Sequence, residues 1–227
     1  MRRESAAFFL VFLPFKQKLM TETNTSILLP TAYFPSVQYF MLMVAAKEVF
    51  IEIHETYPKQ TYRNRCEIYS ANGKLALTVP VIKPQGNHSK TKDIAISDHQ
   101  NWQIIHWRTI ESAYAKSPFF MYYSDDLKPF FEMPAENLIH HNLLLLNKMM
   151  ELSGIKIPLK FTETYEKIPA GKEDYRGIMT PKKPFPLFDV KHYYQVFETR
   201  FGFLPGLSMI DLLFNLGPET KDFISKF

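Results

Sequence analysis

A short apolar run stopped by a proline, then a helical pattern, then a second apolar run constrains this chain more than any other feature. Ile27-Leu28-Leu29 ends at Pro30 and reads as a buried strand. Pro35-Ser36 offers a helix start. Val37, Phe40, Met41, Val44 and Ala45 then recur at helical spacing, so the pattern predicts a helix over 36–47. Val49-Phe50-Ile51-Glu52-Ile53 forms the second strand-like run. Strand, helix and strand in so short a stretch make a βαβ unit, whose strands should pair in parallel through a right-handed crossover. Ligands of such sheets bind at the carboxyl ends of the strands. The helix start at Pro35-Ser36-Val37 could receive a phosphate or carboxylate. With no glycine-rich phosphate motif nearby, a plain strand-to-helix turn is the stronger reading.

The rest of the chain fits an α/β fold with a mixed sheet, a β-hairpin and a helical middle section. Cys66 to Tyr69 and Lys74 to Val81 flank Ala71-Asn72-Gly73, a strong hairpin signal. Helices are expected from Asp98, with Trp102, Ile105, Thr109, Ile110 and Ala113 on one stripe, and over Phe119 to Phe131 and Pro134 to Leu152. Residues 155–190, poor in pattern, should be extended or loop, and Tyr193 to Phe197 is expected as a strand. Ser208 should cap a helix through Asn215, with Asp211 completing a variant capping box and Gly217-Pro218 ending it.

The length of 227 residues suits one domain, and an apolar content of 46% allows a sizeable core. The net charge is +4, but residues 1–19 hold four basic residues against Glu4, which leaves the remainder at +1. A nucleic-acid footprint is therefore not expected. The same first segment carries an apolar run, Ala6 to Leu13, too short to span a bilayer. No small-residue cleavage site follows it. Residues 1–19 are expected to be a non-native extension or mis-assigned start, with Met20 opening one domain over 20–227. The lone Cys66 permits no intrachain disulfide, which fits a reducing, cytoplasmic setting.

Candidate chemistry gathers at three places. Lys59, Arg63, Asn64 and Arg65 form the best polar cluster. Arg63 and Arg65 alternate, so in an extended segment they would share a face and grip a pyrophosphate or carboxylate. The competing reading is a salt-bridged surface loop. His106 shares a helix face with Trp102 and could transfer protons near neutral pH, though a histidine beside a tryptophan is more often a packing residue. Asp211 and Asn215 interrupt an apolar helix one turn apart. Asp211 could hold Arg63 or Arg65, or act as a general base, and structural pairing is the stronger account. His140-His141 read as surface residues. Neither His-x-x-x-His nor paired cysteines occur, so no metal site is expected, and no cofactor is identified.

Several segments, in order, resemble the WbqC-like family of bacterial surface-polysaccharide gene neighbourhoods. They are Tyr33-Phe34-Pro35 with Tyr39-Phe40; Tyr62-Arg63-Asn64-Arg65 with Ile68; Leu77-Thr78-Val79-Pro80-Val81; Trp102 with His106, Thr109-Ile110 and Tyr114; and Ser117-Pro118-Phe119. The tail Pro205-Gly206-Leu207-Ser208-Met209-Ile210-Asp211-Leu212-Leu213-Phe214-Asn215, then Gly217-Pro218-Glu219, matches most specifically. Pro30-Thr31 stands where many members have Gln-Pro, and a Tyr-Leu-Ser-Gly stretch is missing, so the chain resembles a compact branch. The resemblance implies a role in glycan or lipopolysaccharide assembly. The expected activity is transferase-like, on an anionic sugar nucleotide or acyl donor. Arg63, Arg65, Lys59, Asn64 and Asn215 would bind the substrate, and His106 or Asp211 would move the proton. The alternative is a non-catalytic binding or assembly protein of the same pathway.

Overall fold

The computed structural model describes residues 25–98, 101–181 and 189–226; the first segment, 1–19, lies outside them. The βαβ unit is present. Strand β1 (Ser26–Pro30) leads through helix α1 (Val37–Ala45) to β2 (Glu48–Glu52). The two strands pair in parallel, from Ser26 opposite Glu48 to Pro30 opposite Glu52. Ile27, Leu28 and Leu29 are all buried, which is why β1 reads as a continuous apolar run rather than an alternating one. Helix α1 is buried from Val37 to Met43, so it is apolar nearly all round. Ser36 caps it, its hydroxyl accepting the Tyr39 N–H at 3.4 Å.

The described part of the segment 155–190 is largely loop, yet it supplies both edges of the main sheet. Within it lie β7 (Leu159–Phe161) and β8 (Glu173–Asp174), and the strand order is β7-β2-β1-β8, all parallel. Antiparallel pairing occurs in separate two-stranded sheets. One is the hairpin of β3 (Arg65–Ser70) and β4 (Gly73–Thr78); the other joins β5 (Val81–Ile82) to β6 (Ala95–Ile96). The α/β class therefore holds, with the parallel and antiparallel pairings divided between sheets.

The helical middle comprises α2 (Trp102–Tyr114), α3 (Phe120–Leu127) with a 3-10 turn to Phe131, and α4 (Leu138–Leu152). After a short α5 (Glu198–Phe201) come α6 (Met209–Leu216) and α7 (Thr220–Ser225). Helix α6 is buried from Met209 to Asn215 and runs through the core. It stops at Gly217, where φ is +54° and an added Cβ would stand 2.4 Å from the Phe119 ring.

Two expectations are corrected. Tyr193 to Phe197 is not a strand. Its alternation arises because Tyr193 and Gln195 turn their side chains inward. The Gln195 amide exchanges two hydrogen bonds with the Leu204 backbone, at 3.0 and 2.9 Å, in place of a strand partner. The capping box with Asp211 does not form either, although Ser208 caps α6 as expected, its hydroxyl accepting the Ile210 N–H at 3.5 Å. That hydroxyl donates to the Phe34 carbonyl at 2.9 Å, and the Asp211 carboxylate turns away to other partners.

Candidate functional site

The carboxyl ends of the parallel strands carry the densest polar network. Glu52, the last residue of β2, is fully buried. Its Oε1 accepts the His54 N–H at 2.7 Å, the Glu55 N–H at 3.2 Å and the Thr162 hydroxyl at 3.0 Å. Its Oε2 accepts from Arg176 Nη1 at 2.8 Å. Arg176 lies two residues beyond the end of β8 and grips Asp174 with Nε at 2.9 Å and Nη2 at 2.6 Å. Nη2 also reaches the Glu166 carbonyl, and the Tyr165 ring lies 5.1 Å from the guanidinium. Burial works to raise the Asp174 carboxyl, but the Arg176 bonds outweigh it and hold the group below its ordinary range.

Arg63 belongs to this network rather than to a ligand clamp. It is buried, donating from Nε to Glu55 Oε1 at 2.6 Å and from Nη2 to Glu55 Oε2 at 2.8 Å. Burial dominates at Glu55 and raises its carboxyl despite the pairing. The expected shared face of Arg63 and Arg65 is corrected here. Residues 61–64 form a turn, so the two-residue alternation of a strand does not apply to Arg63. Arg65 opens β3 and donates to Thr78 Oγ1 across the hairpin at 3.2 Å. Asn64 donates to the Val79 carbonyl at 2.8 Å, and Lys59 is exposed. A phosphate seat at the start of α1 is also displaced. Val37 N–H donates to the Leu207 carbonyl at 3.0 Å, so the chain itself fills that position.

Beside the network a cleft of about 230 Å³ opens at the carboxyl edge. Phe50 and Phe161 supply apolar faces, Glu163 and Glu166 supply carboxylates, and Glu52 and Lys172 also line it. The Lys172 ammonium stands 4.7 Å from the Phe50 ring centre.

His106 lies buried on the inner face of α2, its Nδ1 2.9 Å from the Tyr33 hydroxyl. Burial lowers its pKa to about 4, with a hydrogen bond to the Thr78 backbone working the other way. Trp102 meets the ring edge-on at 5.2 Å. The surface reading of the adjacent pair holds for His140 only. His141 is buried, stacked on Tyr33 at 6.0 Å and edge-on to Trp102 at 5.5 Å. Burial first, then the charges of His106 and His140, lower it to about 4. Its Nε2 has no hydrogen-bond partner. Adjacent helix positions diverge, so one of the pair faces in whenever α4 is packed on one side.

Asp211 pairs with neither arginine. Tyr114 donates to Oδ1 at 2.9 Å, and Tyr193 and Gln195 donate to Oδ2 at 2.7 and 2.9 Å. Burial raises its pKa to about 6 against those three hydrogen bonds. Asn215 donates to the Asp211 carbonyl at 2.7 Å, and its Oδ1 is left without a partner. The sequence-derived candidates thus occupy three environments: Arg63 at the sheet edge, His106 against Tyr33, and Asp211 in a tyrosine and glutamine cage. Asp174 and Arg176 were missed as site residues, and Glu52 and Glu55 carried only one sequence signal, their position at the carboxyl end of the predicted strand over 49–53. Cys66 is buried, and burial pushes its thiol up, away from reactive thiolate. Among the described residues no group of three or more His, Cys, Asp or Glu is placed to hold a metal ion. No helix among them is long and apolar enough to cross a membrane.

The chain is 29% identical over 217 aligned residues to an uncharacterized protein of Mycobacterium tuberculosis, Rv1507c, covering 85% of this chain and 94% of that one. No solved structure gives a significant match. The WbqC-like protein family matches residues 31–180, a span that runs from the end of β1 past Arg176 and so holds the whole sheet-edge network. On that match, the chain belongs to the WbqC-like protein family.

Proposed function

We propose that this chain is a cytoplasmic, transferase-like protein of surface-polysaccharide assembly that receives an activated sugar or acyl intermediate at the carboxyl edge of its parallel sheet. The cleft beside Glu52 carries the reading, because it lies where α/β sheets take their ligands. Phe50 and Phe161 suit the face of a sugar ring. Thr162, Thr164 and the carboxylates of Glu163 and Glu166 suit its hydroxyls. The Arg176 bond holds Glu52 in one position, as a site wall needs. The polysaccharide setting is taken from the family resemblance.

The test begins with deletion of the gene in its native host and mass spectrometry of the surface polysaccharide. Wild-type protein should restore the missing material, and Thr164→Trp, which fills the cleft from an exposed position, should not. An unchanged polysaccharide in the deletion strain removes the pathway assignment. Full complementation by Thr164→Trp removes the cleft.

One observation favours the second reading, a binding or assembly protein without catalysis. His106 and Asp211, the expected proton-transfer groups, are both buried on internal partners. Binding of substrate by purified protein without turnover would select it.

A further inference from the structure

Two loops, residues 56–65 and 83–92, contain six Lys and Arg residues and no Asp or Glu. The structure joins them. Thr56 bridges Lys90, and the Tyr57 N–H donates to the Ser89 carbonyl at 2.9 Å. Arg63 is taken by Glu55 from just outside the first loop. Lys59, Arg65, Lys83, Lys90 and Lys92 make no ion pair among the described residues.

Lys83 is the unusual member. The side chain is half-buried, but its ammonium nitrogen is covered, has no hydrogen-bond partner among the described residues, and stands 5.1 Å from the Tyr57 ring centre. Desolvation lowers its pKa, and the Lys59 charge lowers it further. Tyr57 is buried, and burial pushes its hydroxyl up to about 12, while the charges of Arg63 and Arg65 act against that. Lys83 thus lies on the Tyr57 face, with Lys59 within electrostatic reach of Lys83 and Arg65 within electrostatic reach of Tyr57. A desolvated ammonium with a like-charged neighbour and no counter-ion is unfavourable unless an anion completes it.

We propose that the diphosphate of a phosphate-activated small molecule binds over Tyr57, between Lys59, Lys83 and Arg65. Three cations match a diphosphate better than a single phosphate. The ligand class rests on the transferase reading; the anion seat itself does not. The seat also answers a difficulty of charge. The cleft sets Glu163 and Glu166 against Lys172, Glu52 being paired with Arg176, and this acidic balance suits a sugar better than its phosphates. The first basic loop leaves the carboxyl end of β2, the strand that ends at Glu52, so the two halves of one donor would meet the same sheet edge. A nucleic-acid partner is disfavoured by the +1 charge of the chain beyond residue 19.

Isothermal titration of the full chain with inorganic pyrophosphate, at roughly 150 mM salt, tests this. Pyrophosphate should bind, and inorganic phosphate should bind about tenfold more weakly or worse. Lys83→Met keeps an unbranched stem on Tyr57 and should weaken pyrophosphate binding by about tenfold. Lys59→Gln and Arg65→Gln should each weaken it several-fold. Lys148→Gln, remote and paired with Asp126 and Glu151, should leave it unchanged. Circular dichroism confirms that each variant is folded. Uridine diphosphate binding more tightly than pyrophosphate places a nucleoside in the ligand; equal affinity limits recognition to the diphosphate. No pyrophosphate binding at millimolar concentration overturns the proposal, as does unchanged affinity in Lys83→Met. Preference for a mixed-sequence oligonucleotide also overturns it. Pyrophosphate binding with an unchanged polysaccharide in the deletion strain would keep the anion seat and remove the transferase reading.

Discussion

Glu52 at the sheet edge and Asp211 in helix α6 are both fully buried carboxylates, and the chain keeps them by different means. Glu52 faces a guanidinium, Arg176, which is itself fixed by Asp174. Asp211 faces only neutral donors, Tyr114, Tyr193 and Gln195. Hydrogen bonds satisfy the lone pairs in both places, but only the arginine supplies opposite charge. The Asp211 pKa therefore climbs to about 6. One region is locked by ion pairing. The other stores a proton-dependent term in the core.

The largest break in the contrast should come from Arg176→Met. It leaves Glu52 charged, buried and unpaired, and should destabilise the fold by about 3–5 kcal/mol in urea denaturation. A loss below about 1 kcal/mol would mean that Glu52 does not depend on the pair.

Asp211→Asn tests the other half. An aspartate whose folded pKa lies above its unfolded value, ordinarily about 3.9, stabilises best below that unfolded value. Its contribution is lost as pH rises through the folded pKa near 6. Wild type should therefore lose up to about 3 kcal/mol relative to Asp211→Asn between acidic and neutral pH. His106 and His141 titrate in both proteins and cancel in this difference. A pH-independent gap between the two denaturation curves would show that Asp211 is not protonated in the core.

Tyr114→Phe sharpens the comparison further. It removes one donor to Asp211 and the acceptor for the Tyr69 N–H at 3.1 Å. A loss of about 1–3 kcal/mol is expected, with the midpoint of the Asp211-linked pH dependence moved upward. Lys160→Ala should do least. It removes the exposed partner of Glu48, at the amino end of the strand that Glu52 closes, and the urea midpoint should not move measurably. A shift as large as that of Arg176→Met would erase the distinction between the two ends of β2.

The histidine pair gives the opposite sign. His106 and His141 are both held near 4, below the ordinary value of about 6.5. Their contribution is present above pH 6.5 and lost as pH falls toward 4. His141→Phe keeps the ring against Tyr33 and Trp102 and should reduce the loss of stability on acidification, read by thermal unfolding at pH 7 and pH 4.5.

Much of the fold was legible from pattern. Period and punctuation located β1, α1 and β2, the β3–β4 hairpin and helix α6, because each carries its own apolar signal or turn residue. Strands β7 and β8 were not legible. They have three and two residues, and only pairing with β2 and β1 makes them strands. The polar sites divide in the same way. Arg63 stood out in a cluster with Lys59, Asn64 and Arg65, but its shared face with Arg65 fails because a turn breaks the strand alternation, and its carboxylate is Glu55 rather than Asp211. Glu52 and Arg176 lie 124 residues apart, a separation across which one sequence holds no register. His141 turned inward although its neighbour faces water, and Lys83 looked like any loop lysine.

By itself, then, the sequence determined the local elements, the βαβ core and the family, all of which follow from short-range periodicity and ordered motifs. The tertiary structure decided the charge pairing. It gave Arg63 to Glu55 and Arg176 to Glu52, closed Asp211 among tyrosines, and left Lys83 without a counter-ion. Pairing depends on distance and burial between remote segments, and desolvation, which sets how strongly each charge needs a partner, exists only once those segments have packed.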